Sequence, residues 1–345
     1  MPRGRARAQI RSSGQQSHQG HGQSTAEQRI HTSVHATPVK RRAYAGSSLN
    51  LCSLRFGLRS WPWIDSHDPA LVFSEKLTPA DAAILETFVV PRYLSLFGDL
   101  MLEMILVGEA ARIAHLGCRT GYPDLKLYER LDGVDIVGID SSLPALELAR
   151  NKAAVLGDVA VDYRFAEELP LELEGGNFTH AYSIHPISGP QDRALLFGEI
   201  SRLLCGGGQA LVAMPLRGSF QEIADLFREY SLKHDDSEFS KALEAALAGR
   251  PSIETLSEEL EEAGLDDIDV EIRQTSLTFD SGRAFMEDPI SRLMIIPEVR
   301  TWLDIADLKR PLEYVRDAID KYWSEGKLEL TLNVGCASAR KPVAG

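Results

Sequence analysis

The chain has 345 residues, 44% of them hydrophobic, which suits one large domain or one domain with appendages. Its net charge of −13 is uneven: residues 1–50 hold eight Lys/Arg against one acid, Glu27, a net +7 that leaves −20 on the rest. No apolar run nears the roughly 20 residues that span a bilayer, and an acidic body argues against a broad nucleic-acid-binding face, whose phosphate contacts need clustered Lys and Arg. A soluble, cytoplasmic protein without a membrane span is expected.

Residues 1–45 are rich in Gln, Ser, His, Gly and Arg, lack apolar periodicity and read as a disordered basic tail. Three origins fit this acid-poor segment: a solvated tail, an artefactual upstream start of translation, or a targeting or nucleic-acid-binding arm. Residues 46–110 are expected to form an N-terminal helical lid segment. Thr78 is a candidate N-cap with Pro79 at the first helical position. Pro91 is expected to restart a second helix, with Tyr93, Leu94, Phe97, Leu100, Met101, Met104 and Ile105 on one face, packed in the core or lying over a ligand.

From residue 111 to 218 the pattern alternates. Strands are predicted at Ala111–Leu116, Val134–Ile139, Val159–Phe165, Phe178–Ile184 and Gln209–Pro215. Helices are predicted up to Leu131, after the cap Ser142 (Leu146, Ala149, Ala153, Leu156), and over Arg193–Leu204, stopped by Gly206-Gly207-Gly208. Strands alternating with helices imply a parallel sheet covered on both faces. Residues 219–345 change character. Helices fit Phe220–His234, Phe239–Ala248, Ser252–Ala263, Arg283–Glu287, Glu298–Asp307 and Leu312–Ser324. Strands fit Ile268–Phe279 and Lys327–Cys336, the last suited to an antiparallel edge. The fold class expected is α/β: a doubly wound, seven-stranded, mostly parallel sheet with an antiparallel last strand and a helical insertion. The cysteines Cys52, Cys118, Cys205 and Cys336 are dispersed, without metal-site spacing, and read as free thiols.

Two features point to a ligand. His115-Leu116-Gly117-Cys118-Arg119-Thr120-Gly121 joins a strand to a helix, and its glycines permit positive φ and close backbone approach. Asp140, which ends the second strand, can accept both hydroxyls of a ribose or can simply cap the next helix. Together they suit an adenosine-containing ligand. The glycine spacing is not G-x-G-x-x-G, which disfavours a nicotinamide dinucleotide. There is no G-x-S-x-G elbow.

These segments resemble the class I methyltransferase family, nearest the type acting on small molecules and on carrier-bound or quinone precursors. The likeness runs from about Pro91 to Pro342. It is carried by Leu116–Gly121, Val137–Ser142, Ala166-Glu167-Glu168-Leu169-Pro170, the Phe178 strand, Arg202–Gly208 and Ala263-Gly264-Leu265. The resemblance implies S-adenosyl-L-methionine as cofactor and a small-molecule or carrier-linked substrate; no nucleic-acid partner is expected, and the oligomeric state is left open. It implies that Gly117, Cys118 and Gly121 line the methionine moiety, and that Asp140 and Ser141 hold the ribose. Phe165, Ala166 and Glu167 would flank the adenine, and Ser183–Pro186 would border the transferable methyl group. His185, just past the fourth strand, is the candidate base, with a structural histidine as the alternative. The segment 219–325 would build the acceptor side.

The chain departs from the family at His115 (usually acidic), Arg119 (the middle glycine), Phe165 (a frequent Asp) and Thr179 (usually Asp). These departures motivate a second reading, a degenerate methyltransferase fold acting as a binding or regulatory module. The two readings part at residue 119: if its guanidinium plugs the cofactor hollow, the enzymatic reading falls and only the scaffold survives.

Overall fold

The structure is a computed structural model that describes residues 77–106, 110–131, 133–157, 159–305 and 307–343. The basic tail and residues 46–76 of the expected lid segment lie outside the described residues, as does Cys52.

The first helix, α1 (Pro79–Ile84), starts where the capping signal predicts. Thr78 Oγ1 accepts the amide of Asp81, and Pro79 costs no hydrogen bond in the first turn. The chain then widens into a π-helical stretch, Leu85–Leu94, and returns to α geometry in α2 (Ser95–Met104). This corrects the expected restart at Pro91, which sits inside the continuous π stretch. A π turn shifts the hydrogen-bond ladder, so a residue lacking an N–H is accommodated without ending the helix. Tyr93, Leu94, Phe97, Leu100, Met101 and Ile105 are buried, as their spacing predicts.

The alternating region follows as β1 (Arg112–Leu116), α3 (Asp124–Tyr128), β2 (Asp135–Asp140), α4 (Leu143–Leu156), β3 (Ala160–Phe165), β4 (Phe178–Ile184), α5 (Pro190–Leu203) and β5 (Leu204–Pro215). Then come α6 (Gln221–His234), α7 (Ser237–Gly249), α8 (Ile253–Glu262) and β6 (Asp266–Phe279). The chain closes with α9 (Gly282–Glu287), a π turn (Ser291–Ile295), α10 (Ile296–Leu303), α11 (Lys309–Tyr322) and β7 (Leu328–Arg340). The seven strands form one sheet in the order β3-β2-β1-β4-β5-β7-β6, and β7 runs antiparallel to both neighbours. This is the expected fold class.

Strands β1, β2 and β4 are buried almost throughout because helices cover both faces of the sheet. Ile113, Leu116, Ile136 and Ile139 are fully buried, each contributing roughly 1.5–3 kcal/mol by leaving water. The edge strand β6 carries Asp266, Asp267, Asp269, Glu271 and Arg273, charges that oppose edge-to-edge pairing.

The glycine run after α5 behaves differently from the expected helix stop. The helix ends at Leu203, and Gly206, Gly207 and Gly208 lie within β5, where the register against β4 shifts between Phe178 and His180. A Cβ on Gly208 would come within 2.9 Å of the Cys205 carbonyl oxygen. Lacking side chains, these residues bulge the strand.

A second glycine fixes the insertion. A Cβ on Gly282 would lie 2.0 Å from the carbonyl oxygen of Arg316, so α9 meets the backbone of α11 directly. Gly282→Ala is expected to push these helices apart at a cost of about 1–3 kcal/mol. Urea unfolding midpoints measure it, and an unchanged midpoint contradicts this packing.

Candidate functional site at the carboxyl ends of β1, β2 and β4

The loop after β1 bends back over β2. The amides of Gly117 and Cys118 both donate to the carbonyl of Ile139, at 2.8 and 3.0 Å. Gly117 and Gly121 adopt φ of 74°, and Arg119 between them φ of 46°. All three lie in the left-handed region, which glycine enters freely and a larger side chain does not.

Asp140 ends β2 and is completely buried. Its Oδ2 accepts the Arg119 amide at 2.9 Å and its Oδ1 the Ser142 amide at 2.8 Å. Ser142 itself caps α4 by accepting from the Ala145 amide. The carboxylate therefore stands where the sequence put a ribose ligand, but in this conformation it braces the loop. Ser141, beside it, is also buried. Phe165 ends β3 and is 43% exposed, the amide of Ala166 donates to the Asp140 carbonyl at 3.1 Å, and Glu167 is exposed. These three form an open strip next to the end of β2. Gly117, Cys118, Asp140, Ser141 and Ala166 thus come together, and at Gly121 an added Cβ would clash with the Tyr163 hydroxyl, so only glycine fits there.

Ser183 is buried in β4, and His185 follows that strand with φ of 50°. Between this strand end and the β1 loop lies the side chain of Arg119. Its Nη1 donates to the carbonyl of Ile184 at 2.8 Å and its Nη2 to that of His185 at 2.7 Å. Only 4% of the residue is exposed, and burial lowers the guanidinium pKa despite the carboxylate of Asp140 nearby. The space left beside it, lined by Leu94, His115, Gly117, Thr120, Tyr122 and Ile184, is about 10 Å³. That is room for about one water, against the roughly 300–1,000 Å³ of a small-molecule site. In this conformation the residues around the loop do not fit the methionine arm of S-adenosyl-L-methionine.

His185 sits deeper than its place after β4 suggested. It is fully buried, and its Nε2 shares a hydrogen bond of 2.8 Å with the Tyr93 hydroxyl. The ring packs edge-on against Phe97. Beyond it lies Glu298, 3.9 Å from Nε2, and Arg250 pairs with Glu298 at 3.0 Å. Burial first, then the charges of Arg119 and Arg250, push the imidazole pKa well down, which disfavours the charged ring. Burial raises the carboxyl of Glu298, against the pull of Arg250. Sequence reasoning missed this buried chain, since no local pattern links residues 93, 185, 250 and 298.

Sequence reasoning also missed Asp124. Where the family likeness leads one to expect an acid at position 115, the chain has His115, and the acid comes from α3 instead. Asp124 Oδ1 accepts His115 Nδ1 at 2.7 Å and the Tyr182 hydroxyl, and Oδ2 accepts the Tyr163 hydroxyl at 2.9 Å. The His115 and Tyr182 rings stack at 4.2 Å. The whole group is buried and binds the loop to the sheet. The hydroxyl of Thr179, another departure, accepts from the Arg112 amide and donates to the Arg112 carbonyl, both at 3.0 Å, so a side chain ties β4 to the start of β1. Among the described residues, no group of three or more His, Cys, Asp or Glu could hold a metal ion, and Cys118, Cys205 and Cys336 are free thiols.

Five parallel strands, a glycine-bearing loop over β2, an acid ending β2 and an antiparallel β7 set between β5 and β6 make up a Rossmann-like fold of the kind methyltransferases use. Comparison with known proteins agrees. Residues 113–208 match the family model described as a methyltransferase domain. A demethylmenaquinone methyltransferase from Thermus thermophilus is 31% identical over 121 residues, 34% of this chain and 54% of that protein. The chain thus spans about half the length of that relative. Weaker likenesses include phosphoethanolamine N-methyltransferase 2 of Haemonchus contortus in complex with S-adenosyl-L-methionine (18% identity, TM-score 0.47, 77% of this chain and 57% of that one). The YcgJ protein of Bacillus subtilis is 12% identical with TM-score 0.47, over 72% of this chain and 99% of that one. Residues 113–208 are thus similar to methyltransferase domains, over less than a third of the chain. No described helix is long and apolar enough to cross a membrane.

Proposed function

We propose that this protein transfers a methyl group from S-adenosyl-L-methionine to a small or carrier-linked acceptor. The observation that carries the reading is the backbone of the β1 loop with Asp140 beside it. Gly117, Arg119 and Gly121 all hold left-handed φ, and the carboxylate ends β2 against them. The Arg119 side chain occupies the hollow there, and the reading requires that a change of its rotamer open it. The matching relative, a quinone methyltransferase, supports an acceptor of the same broad kind.

Calorimetric titration of the full chain with S-adenosyl-L-methionine tests this. Saturable binding with Kd below about 1 mM is expected, weakened roughly tenfold or more by Asp140→Ala. Absence of binding to both the wild type and Arg119→Gly defeats the reading.

One observation favours a second reading. The guanidinium that fills the hollow is what a degenerate methyltransferase fold, kept as a binding or regulatory module, would show. Turnover with any acceptor dismisses it, as does S-adenosyl-L-methionine carried through purification.

A further inference from the structure

We infer that Arg119 is an internal competitor for the cofactor, its guanidinium taking the cation-accepting place at the end of β4 that a nucleoside sulfonium must occupy. The inference deepens the methyltransferase reading and rests on it.

Three observations converge. The guanidinium ends on two main-chain carbonyls, Ile184 and His185, which point into one spot and attract positive charge. Among the described residues no carboxylate oxygen pairs directly with it, so a cation nine-tenths buried is hydrogen-bonded by neutral acceptors, with Asp140 acting only from farther off. Such a group is poorly repaid for leaving water, and it yields to a ligand that brings its own charge together with apolar surface. Finally, Arg119 rises from a left-handed position, φ 46°, where glycine is at ease. Replacing it with glycine removes the plug and leaves the loop backbone in an unstrained state.

The consequence is quantitative. A ligand that binds only when Arg119 has swung out sees an apparent Kd raised by the inverse of the outward population. An outward state populated at about one part in ten weakens binding about tenfold. Arg119 therefore sets cofactor affinity without touching the reacting atoms.

The experiment is calorimetric titration of S-adenosyl-L-methionine into the full-length wild type, Arg119→Gly and Arg119→Asn. Asparagine tolerates left-handed backbone and stands in if the glycine variant fails to fold. Expected is binding at least roughly tenfold tighter in either variant than in the wild type. A wild type that binds as tightly as both variants, or more tightly, overturns the inference and leaves the methyltransferase reading standing. No binding by any of the three overturns both.

Discussion

Asp124→Ala is expected to lose about 3–5 kcal/mol of stability, the cost of leaving a buried polar cluster without its acceptor. For a domain of this size the melting temperature falls by on the order of 10 °C. The carboxylate is wholly buried and serves three donors at once: His115 Nδ1, the Tyr182 hydroxyl and the Tyr163 hydroxyl. Alanine strands all three inside a packed interior. Asp124→Asn recovers part of the loss, since its amide offers one acceptor oxygen instead of two. The sign of the pH dependence follows from the same contacts. Burial pushes this carboxyl up, but the charge of His115 and the hydrogen bonds from His115, Tyr182 and Tyr163 outweigh it, and its pKa lies below the ordinary value. A carboxylate depressed on folding stabilises the protein above its unfolded pKa, about 3.9, and that contribution fades as pH falls through the lower folded value. Acid unfolding of the wild type therefore contains a component that Asp124→Ala lacks. Chemical denaturation from pH 3 to pH 7 measures both effects. A variant within 1 kcal/mol of the wild type, with the same pH slope, shows that the cluster does not hold the loop.

Arg250→Met is expected to cost about 3–5 kcal/mol near pH 8 and clearly less near pH 5. Methionine keeps most of the packing against Phe220 and Trp302, which the guanidinium now overlies. It removes the counter-ion of Glu298, whose carboxyl burial already holds above its usual pKa. A carboxyl raised on folding favours the folded state below its unfolded pKa, and that advantage is lost as pH rises through the folded value. Without Arg250 the folded value rises further, so the penalty deepens across a wider range toward alkaline pH. Adding Glu298→Gln removes the stranded charge and is expected to restore a large part of the loss. Equal losses at both pH values, with no rescue by the second substitution, refute the coupling.

The same cluster shows where local reasoning stops. Asp140 at the end of β2, the cap at Ser142 and the strand Phe178–Ile184 could be placed from neighbouring residues alone. Arg250 and Glu298 could not, because their pairing depends on how the helices between β5 and β7 fold back toward β4. His185 was found by position, yet its burial and its bond to Tyr93 come from the helix that precedes β1. The glycines of residues 206–208 carry a genuine signal with two outlets, a helix end or a bulged strand. The pairing with β4 chose the second. Pro91 likewise had to await its π-helical surroundings.

By itself, the amino-acid order determined the alternation of strands and helices, the left-handed loop after β1 and the acid beside it. Those features rest on periodicity, capping and glycine conformation, which act over a few residues. Only the tertiary structure decided that Arg119 turns inward onto the carbonyls of Ile184 and His185, and that Asp124 supplies the acid missing from position 115. A long side chain has many rotamers of similar intrinsic energy, and the carbonyls and donors that select one of them come from segments brought together only by folding.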